Sequence, residues 1–137
     1  MTMTDPNVAP HVHSPGFLKL VEEVRARVKQ FTIEEFIARL QTGERFVLVD
    51  TREESEWAAG HLPSAHHLSK GTIERDIENA IPDLDTPIVT YCGGGFRSVL
   101  VNDNLQKMGY TNVTSLDGGW RGWTERDLPV VTPDASA

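Results

Sequence analysis

The run Tyr91-Cys92-Gly93-Gly94-Gly95-Phe96-Arg97-Ser98 sets the chain's one cysteine before three glycines and an arginine. These types suit anion chemistry. Glycine lacks a Cβ and takes positive φ readily, so successive N–H groups can turn toward one point, and a helix beginning at the end of the run adds its positive end. A Cys92 sulfur at that point is favoured as the thiolate, with Arg97 as the nearby cation. The same cradle would hold a persulfide anion or an oxyanion substrate. A free cysteine at a strand end is often just a small buried hydrophobe. That plain use needs no converging amides, so the loop reads as reactive. A lone cysteine also excludes an internal disulfide and any all-cysteine metal site.

Such a loop must hang between a strand and a helix. Phe46, Val47, Leu48 and Val49 before Asp50, and Pro87 to Tyr91 before Cys92, are short apolar runs that fit strands buried on both faces. Each delivers a polar residue at its carboxyl end, where open α/β sheets bind ligands. Residues 113–116 form a further predicted strand. Ser14 as cap, Pro15 in the first turn and the stripe Phe17, Val21, Val24, Val28 predict an N-terminal helix that docks on the main domain. Thr32 with Glu35 makes a capping box for a second helix, carrying Phe36, Ile37 and Leu40 and closed by Gly43. Residues 72–80 predict a helix broken by Pro82. Residues 98–108 predict another, with Val99, Leu100, Leu105 and Met108 inward and Gly109 at its end, and Gly118-Gly119 turns into a short Trp-rich helix. The alternation makes the class α/β with a mostly parallel sheet. With 137 residues and 39% hydrophobic content there is one core. The expected division is a disordered tail at 1–13, a helical extension at 14–29, the main domain at 30–130 and a C-terminal tail at 131–137.

Taken together, the motifs resemble those of single-domain rhodaneses. Cys92 with Arg97 five residues on, then Ser98, is similar to their active-site loop. So are Leu48-Val49-Asp50-Thr51-Arg52-Glu53 with Glu56, Trp57 and Gly60-His61-Leu62-Pro63-Ser64-Ala65, and Leu116-Asp117-Gly118-Gly119-Trp120 with Trp123. The resemblance spans about residues 30–130 and implies a rhodanese-like three-layer fold, a five-stranded sheet flanked by helices. It further implies a sulfurtransferase in which Cys92 carries a persulfide. Gly93, Gly94, Gly95, Phe96, Arg97 and Ser98 would bind the substrate. Related phosphatases and arsenate reductases use one more residue between cysteine and arginine, so this shorter ring fits sulfur better. Thiosulfate-preferring members often carry further basic residues in the loop, which is glycine-rich here.

Other residues have plainer readings. Asp50 and Arg52, just past a strand end, are expected to bond loop amides or each other and brace the cysteine loop. Glu53, Glu54 and Glu56 read as a solvated helix start. His66 and His67 alternate faces, His61 sits in a turn, and His11 and His13 lie in the tail, so no metal site is expected. Trp120 and Trp123 read as packing residues. Arg97 is the loop's only cation. It either faces the sulfur or braces a neighbouring carboxylate.

A formal net charge of -7 argues against nucleic acid or anionic membrane as partner. No apolar run approaches the roughly 20 residues of a membrane span, and no signal-peptide pattern opens the chain. The expectation is a soluble cytoplasmic enzyme without metal or organic cofactor. It would pass sulfur from a small anionic donor, or a protein donor, to a thiol, cyanide or protein acceptor. Two other readings stand beside it: a non-catalytic partner-binding module, and a phosphatase or arsenate reductase.

Overall fold

A computed structural model describes residues 13–133. Residues 1–12 of the tail expected at 1–13, with His11, and residues 134–137 of the tail expected at 131–137 lie outside that range. In chain order the elements are α1 (Pro15–Arg25), β1 (Lys29–Phe31), α2 (Ile33–Gln41), β2 (Val47–Asp50), α3 (Glu54–Ala59), β3 (His66–His67), α4 (Ile73–Ala80), β4 (Ile88–Tyr91), α5 (Arg97–Lys107), β5 (Val113–Leu116) and α6 (Gly119–Glu125). The five strands form one sheet in the order β1-β5-β4-β2-β3, and every paired neighbour is parallel. The class is α/β, with a five-stranded parallel sheet flanked by helices.

Side-chain alternation along the strands divides the core in two. Val49 and Ile88 pack with Ile73 and Ile77 of α4 and with Val101 and Leu105 of α5. Leu48, Val89 and Tyr91 face the other way, onto Ile33 and Phe36 of α2 and Trp123 of α6. A third cluster joins Val21, Val24 and Val28 to Val99, so α1 lies outside α5 as an added layer.

The capping box starting α2 is formed: Glu35 N–H donates to Thr32 Oγ1 at 3.0 Å, and Thr32 N–H donates to Glu35 Oε1 at 2.8 Å. Ser14 caps α1 by position, without a side-chain hydrogen bond. Two points depart from the sequence reading. β1 was not foreseen, because Lys29-Gln30-Phe31 is short and mostly polar; pairing with β5 makes it a strand. The buried face of α5 is wider than one stripe, taking in Ser98, Val101, Asn102 and Asp103, because the sheet covers one side and α1 another. Leu100 and Met108 are only half-buried.

Candidate active site

β4 ends at Tyr91, and Cys92 follows in the turn to α5, 1% exposed. Its sulfur accepts from Gly95 N–H at 3.2 Å and from Ser98 N–H at 3.4 Å. Ser98 Oγ lies 3.5 Å from Cys92 Sγ and 2.7 Å from Ser115 Oγ at the end of β5. The N–H groups of Gly93, Gly94, Phe96 and Arg97 have no protein acceptor among the described residues. The loop is thus a ring of donors around the sulfur with capacity left over for an anion.

The ring is held open from outside by α6. Trp120 N–H donates to Cys92 C=O at 2.8 Å and Arg121 N–H to Gly93 C=O at 2.9 Å. Those carbonyls are drawn away from the sulfur. So close an approach needs Gly119, where φ is +49° and a Cβ would run into the Cys92 carbonyl. Within the loop only Gly95 has positive φ, at +98°. Gly93 and Gly94 serve a different need than backbone freedom: a Cβ at either would sit 3.0 Å from a guanidinium nitrogen, of Arg97 and Arg121 respectively.

Arg97 braces a carboxylate and also lines the cavity that opens over the sulfur, so the two roles the sequence set as alternatives do not exclude each other. Its Nη1 and Nη2 donate to the two carboxylate oxygens of Glu56 at 2.8 and 3.0 Å. Glu56 first, and then the Cys92 sulfur beside it, hold the guanidinium pKa above its ordinary value. The same pairing holds the Glu56 carboxyl below the ordinary carboxylate range. Glu56 is therefore more than the solvated helix start expected of it.

Asp50 and Arg52 are 0% and 2% exposed and bond each other, Arg52 Nη2 to Asp50 Oδ2 at 2.8 Å. No loop amide bonds to either. Arg52 also donates to Gly60 C=O at 2.6 Å and lies over the Trp120 ring at 4.5 Å and the Tyr91 ring at 5.7 Å, so it meets the cysteine loop through Trp120 and Tyr91. His61 stacks on Trp57 at 3.6 Å and contacts Leu62 C=O through Nδ1, while His67 Nε2 lies 2.7 Å from Arg52 C=O. Trp123 packs against Phe36 and donates to Pro129 C=O.

A cavity of about 380 Å³ opens over the sulfur, lined by His13, Phe17, Glu56, Cys92, Gly93, Gly94, Phe96, Arg97 and Arg121. A larger one, about 570 Å³ and mostly apolar, lies beside α2 away from Cys92 and contains no nucleophile of this kind. The chemistry belongs to the first. Four of its residues were not foreseen as site residues: Glu56, Arg121, His13 and Phe17. Arg121 had a visible signal, two residues past a glycine pair that opens a helix. His13 and Phe17 had none beyond a stripe that reads as core.

Comparison with known proteins agrees with this geometry. The model of the rhodanese-like domain matches residues 32–126. Thiosulfate sulfurtransferase GlpE of Haemophilus influenzae is 35% identical over 104 residues, which is 76% of this chain and 95% of that protein. A sulfurtransferase of Allochromatium vinosum is 34% identical over 107 residues, 78% of this chain and 98% of that protein. Among solved structures, a Rhodopseudomonas palustris protein of unknown function, described as a possible tyrosine phosphatase, is 26% identical with a TM-score of 0.77, covering 89% of this chain and 98% of that one. A family match over most of the chain, together with relatives above 30% identity along nearly their whole length, places this chain in the rhodanese-like family as a sulfurtransferase.

Proposed function

We propose that Cys92 carries sulfur as a persulfide, taking it from a sulfane donor and giving it to an external thiol or to cyanide. The observation supporting this is the sulfur's place at the floor of a cavity, with amide donors at 3.2 and 3.4 Å and Arg97 beside it. The Cys92 thiolate attacks the outer sulfur of the donor. With thiosulfate, the name-giving substrate of the Haemophilus relative, a new S–S bond forms at Cys92. The old S–S bond breaks, and sulfite leaves with its electron pair. The terminal persulfide sulfur then bears the charge. Loop N–H groups and Arg97 stabilise it as an oxyanion hole stabilises oxygen. An acceptor thiolate, or cyanide, attacks that outer sulfur and restores the thiolate. The chain has no second cysteine, so the acceptor comes from outside.

Asp50 and Arg52 act as positioning residues, holding Trp120 under the loop. No metal or organic cofactor enters the scheme. The expected working place is the cytoplasm; among the described residues no helix is long and apolar enough to cross a membrane. Intact-mass measurement after incubation with sulfane donors, thiosulfate first, should show the gain of one sulfur atom, reversed by cyanide and absent in Cys92→Ser. No adduct with any donor would defeat the persulfide reading. Aryl-phosphate hydrolysis lost in Cys92→Ser would put a phosphatase in its place.

A further inference from the structure

Part of the wall of the Cys92 cavity comes from outside the family segment. The matched domain begins at residue 32, yet His13 and Phe17 line the cavity together with Phe96 of the loop. The three rings pack on one another: His13 to Phe96 at 4.5 Å, His13 to Phe17 at 5.1 Å, and Phe17 to Phe96 at 6.1 Å. Arg25 closes over the Phe96 ring at 5.2 Å. The wall is firmly mounted. Val21, Val24 and Val28 bury against Val99, and Arg27 grips both oxygens of Asp103 on α5 at 2.7 and 3.1 Å.

Thiosulfate does not use such a wall. It is two sulfurs and three oxygens with two negative charges. A cavity of about 380 Å³ is of the size that takes small organic molecules, roughly 300 Å³ and upward. Aromatic faces offer a dianion no hydrogen bonds and displace its water. Glu56, Arg97 and Arg121 all line the cavity, and Glu56 holds both terminal nitrogens of Arg97, so these three side chains, two positive and one negative, match a donor of single negative charge better than a dianion.

We infer that His13 and Phe17 are specificity residues, and that this site prefers an organic sulfane donor of single negative charge, with an apolar group next to the transferred sulfur resting on the His13, Phe17 and Phe96 rings. This deepens the persulfide reading and rests on it. For a thiosulfonate the step balances simply. Cys92 thiolate bonds to the sulfane sulfur, the bond from that sulfur to the sulfonyl sulfur breaks, and the sulfinate leaves with the electron pair. Two negative charges enter and two remain.

The test compares benzenethiosulfonate with thiosulfate, with cyanide as acceptor, in the full chain and in Phe17→Ala, Phe17→Leu and His13→Ala. The readout is the ratio of donor kcat/KM values, alongside the mass of Cys92. Wild type should favour benzenethiosulfonate by about tenfold or more, and Phe17→Ala should lower that ratio by about three- to tenfold, the range of one aromatic contact. His13→Ala should lower it in the same direction, and Phe17→Leu, which keeps an apolar surface, by less. A ratio that stays the same in all variants overturns the inference even if rates fall, because a folding defect slows both donors together. Persulfide formation with an unmoved ratio defeats this inference alone; no persulfide with either donor in wild type defeats the persulfide reading as well.

Discussion

Arg97 stands beside two groups, the Glu56 carboxylate and the Cys92 sulfur, and it is half-buried. A guanidinium can serve both because its fork offers five donors in one plane. Removing it has separable effects. Arg97→Ala should slow alkylation of Cys92 by neutral iodoacetamide at pH 7 by about tenfold or more, from ~1.5–3 kcal/mol for a charge-assisted contact to a thiolate. Arg97→Lys should restore part of that rate, since it returns a point charge without the fork. Equal rates in wild type and Arg97→Ala would make Arg97 a brace for Glu56 and nothing more. The role of Arg97 was half legible in the sequence. Its distance from Cys92 is fixed by the loop, and a strand-to-helix turn keeps it near. Its partner was not legible, because Glu56 is 41 residues away and reaches it only once α3 packs beside the loop. A carboxylate in a helix's first turn has an ordinary local use, and here Glu53 N–H does donate to Glu56 Oε1 at 3.0 Å. The local reading was correct as far as it went.

Among the elements, β2 and β4 were readable because a strand buried on both faces is written as a mainly apolar run, and β5 was placed although Thr114 and Ser115 interrupt its apolar residues. The strand β1 was not, since its existence depends on β5. The helix α1 was readable as a helix, but its stripe could not say that Phe17, at the edge of the valine cluster, also lines the cavity. Its attachment to α5 has a polar part that responds to pH. Arg27, bonded to Asp103, and secondarily Lys107 hold the Asp103 carboxyl below its ordinary value, against a smaller opposing effect of burial. A carboxyl lowered in the folded state contributes stability that is fully present above its unfolded pKa, near 3.9, and is lost as pH falls through the folded value. Acid should therefore loosen α1 before the sheet. Hydrogen exchange followed from pH 6 downward should show the amides of α1 losing protection first as pH drops below about 4. Asp103→Asn should abolish that pH step and leave α1 loosened throughout. Protection lost in α1 and β4 at the same pH would mean that the valine contacts alone hold the helix.

At the scale of the molecule, an anionic donor approaches a chain of net charge -7 to reach a site framed by Arg97 and Arg121. The two fields differ in range. The molecule's charge is felt over a Debye length, about 30 Å at 0.01 M salt and about 8 Å at 0.15 M, whereas the arginines act once the donor is inside the cavity. Added salt should thus remove the long-range repulsion first, and a dianion feels it twice as strongly as a monoanion. Raising salt across that range should increase donor kcat/KM for thiosulfate relative to benzenethiosulfonate by roughly twofold or more. Taking the ratio removes any competition by the salt's own anion, which lowers both rates in proportion. A ratio that falls with salt would show that the local cations govern the approach as well as the binding. The donor's charge would then be read from the solvent inward, and Arg121→Ala should flatten the salt dependence. A ratio that rises keeps the two tasks apart: the body of the protein sets how often an anion arrives, and the loop with its aromatic wall sets which one stays.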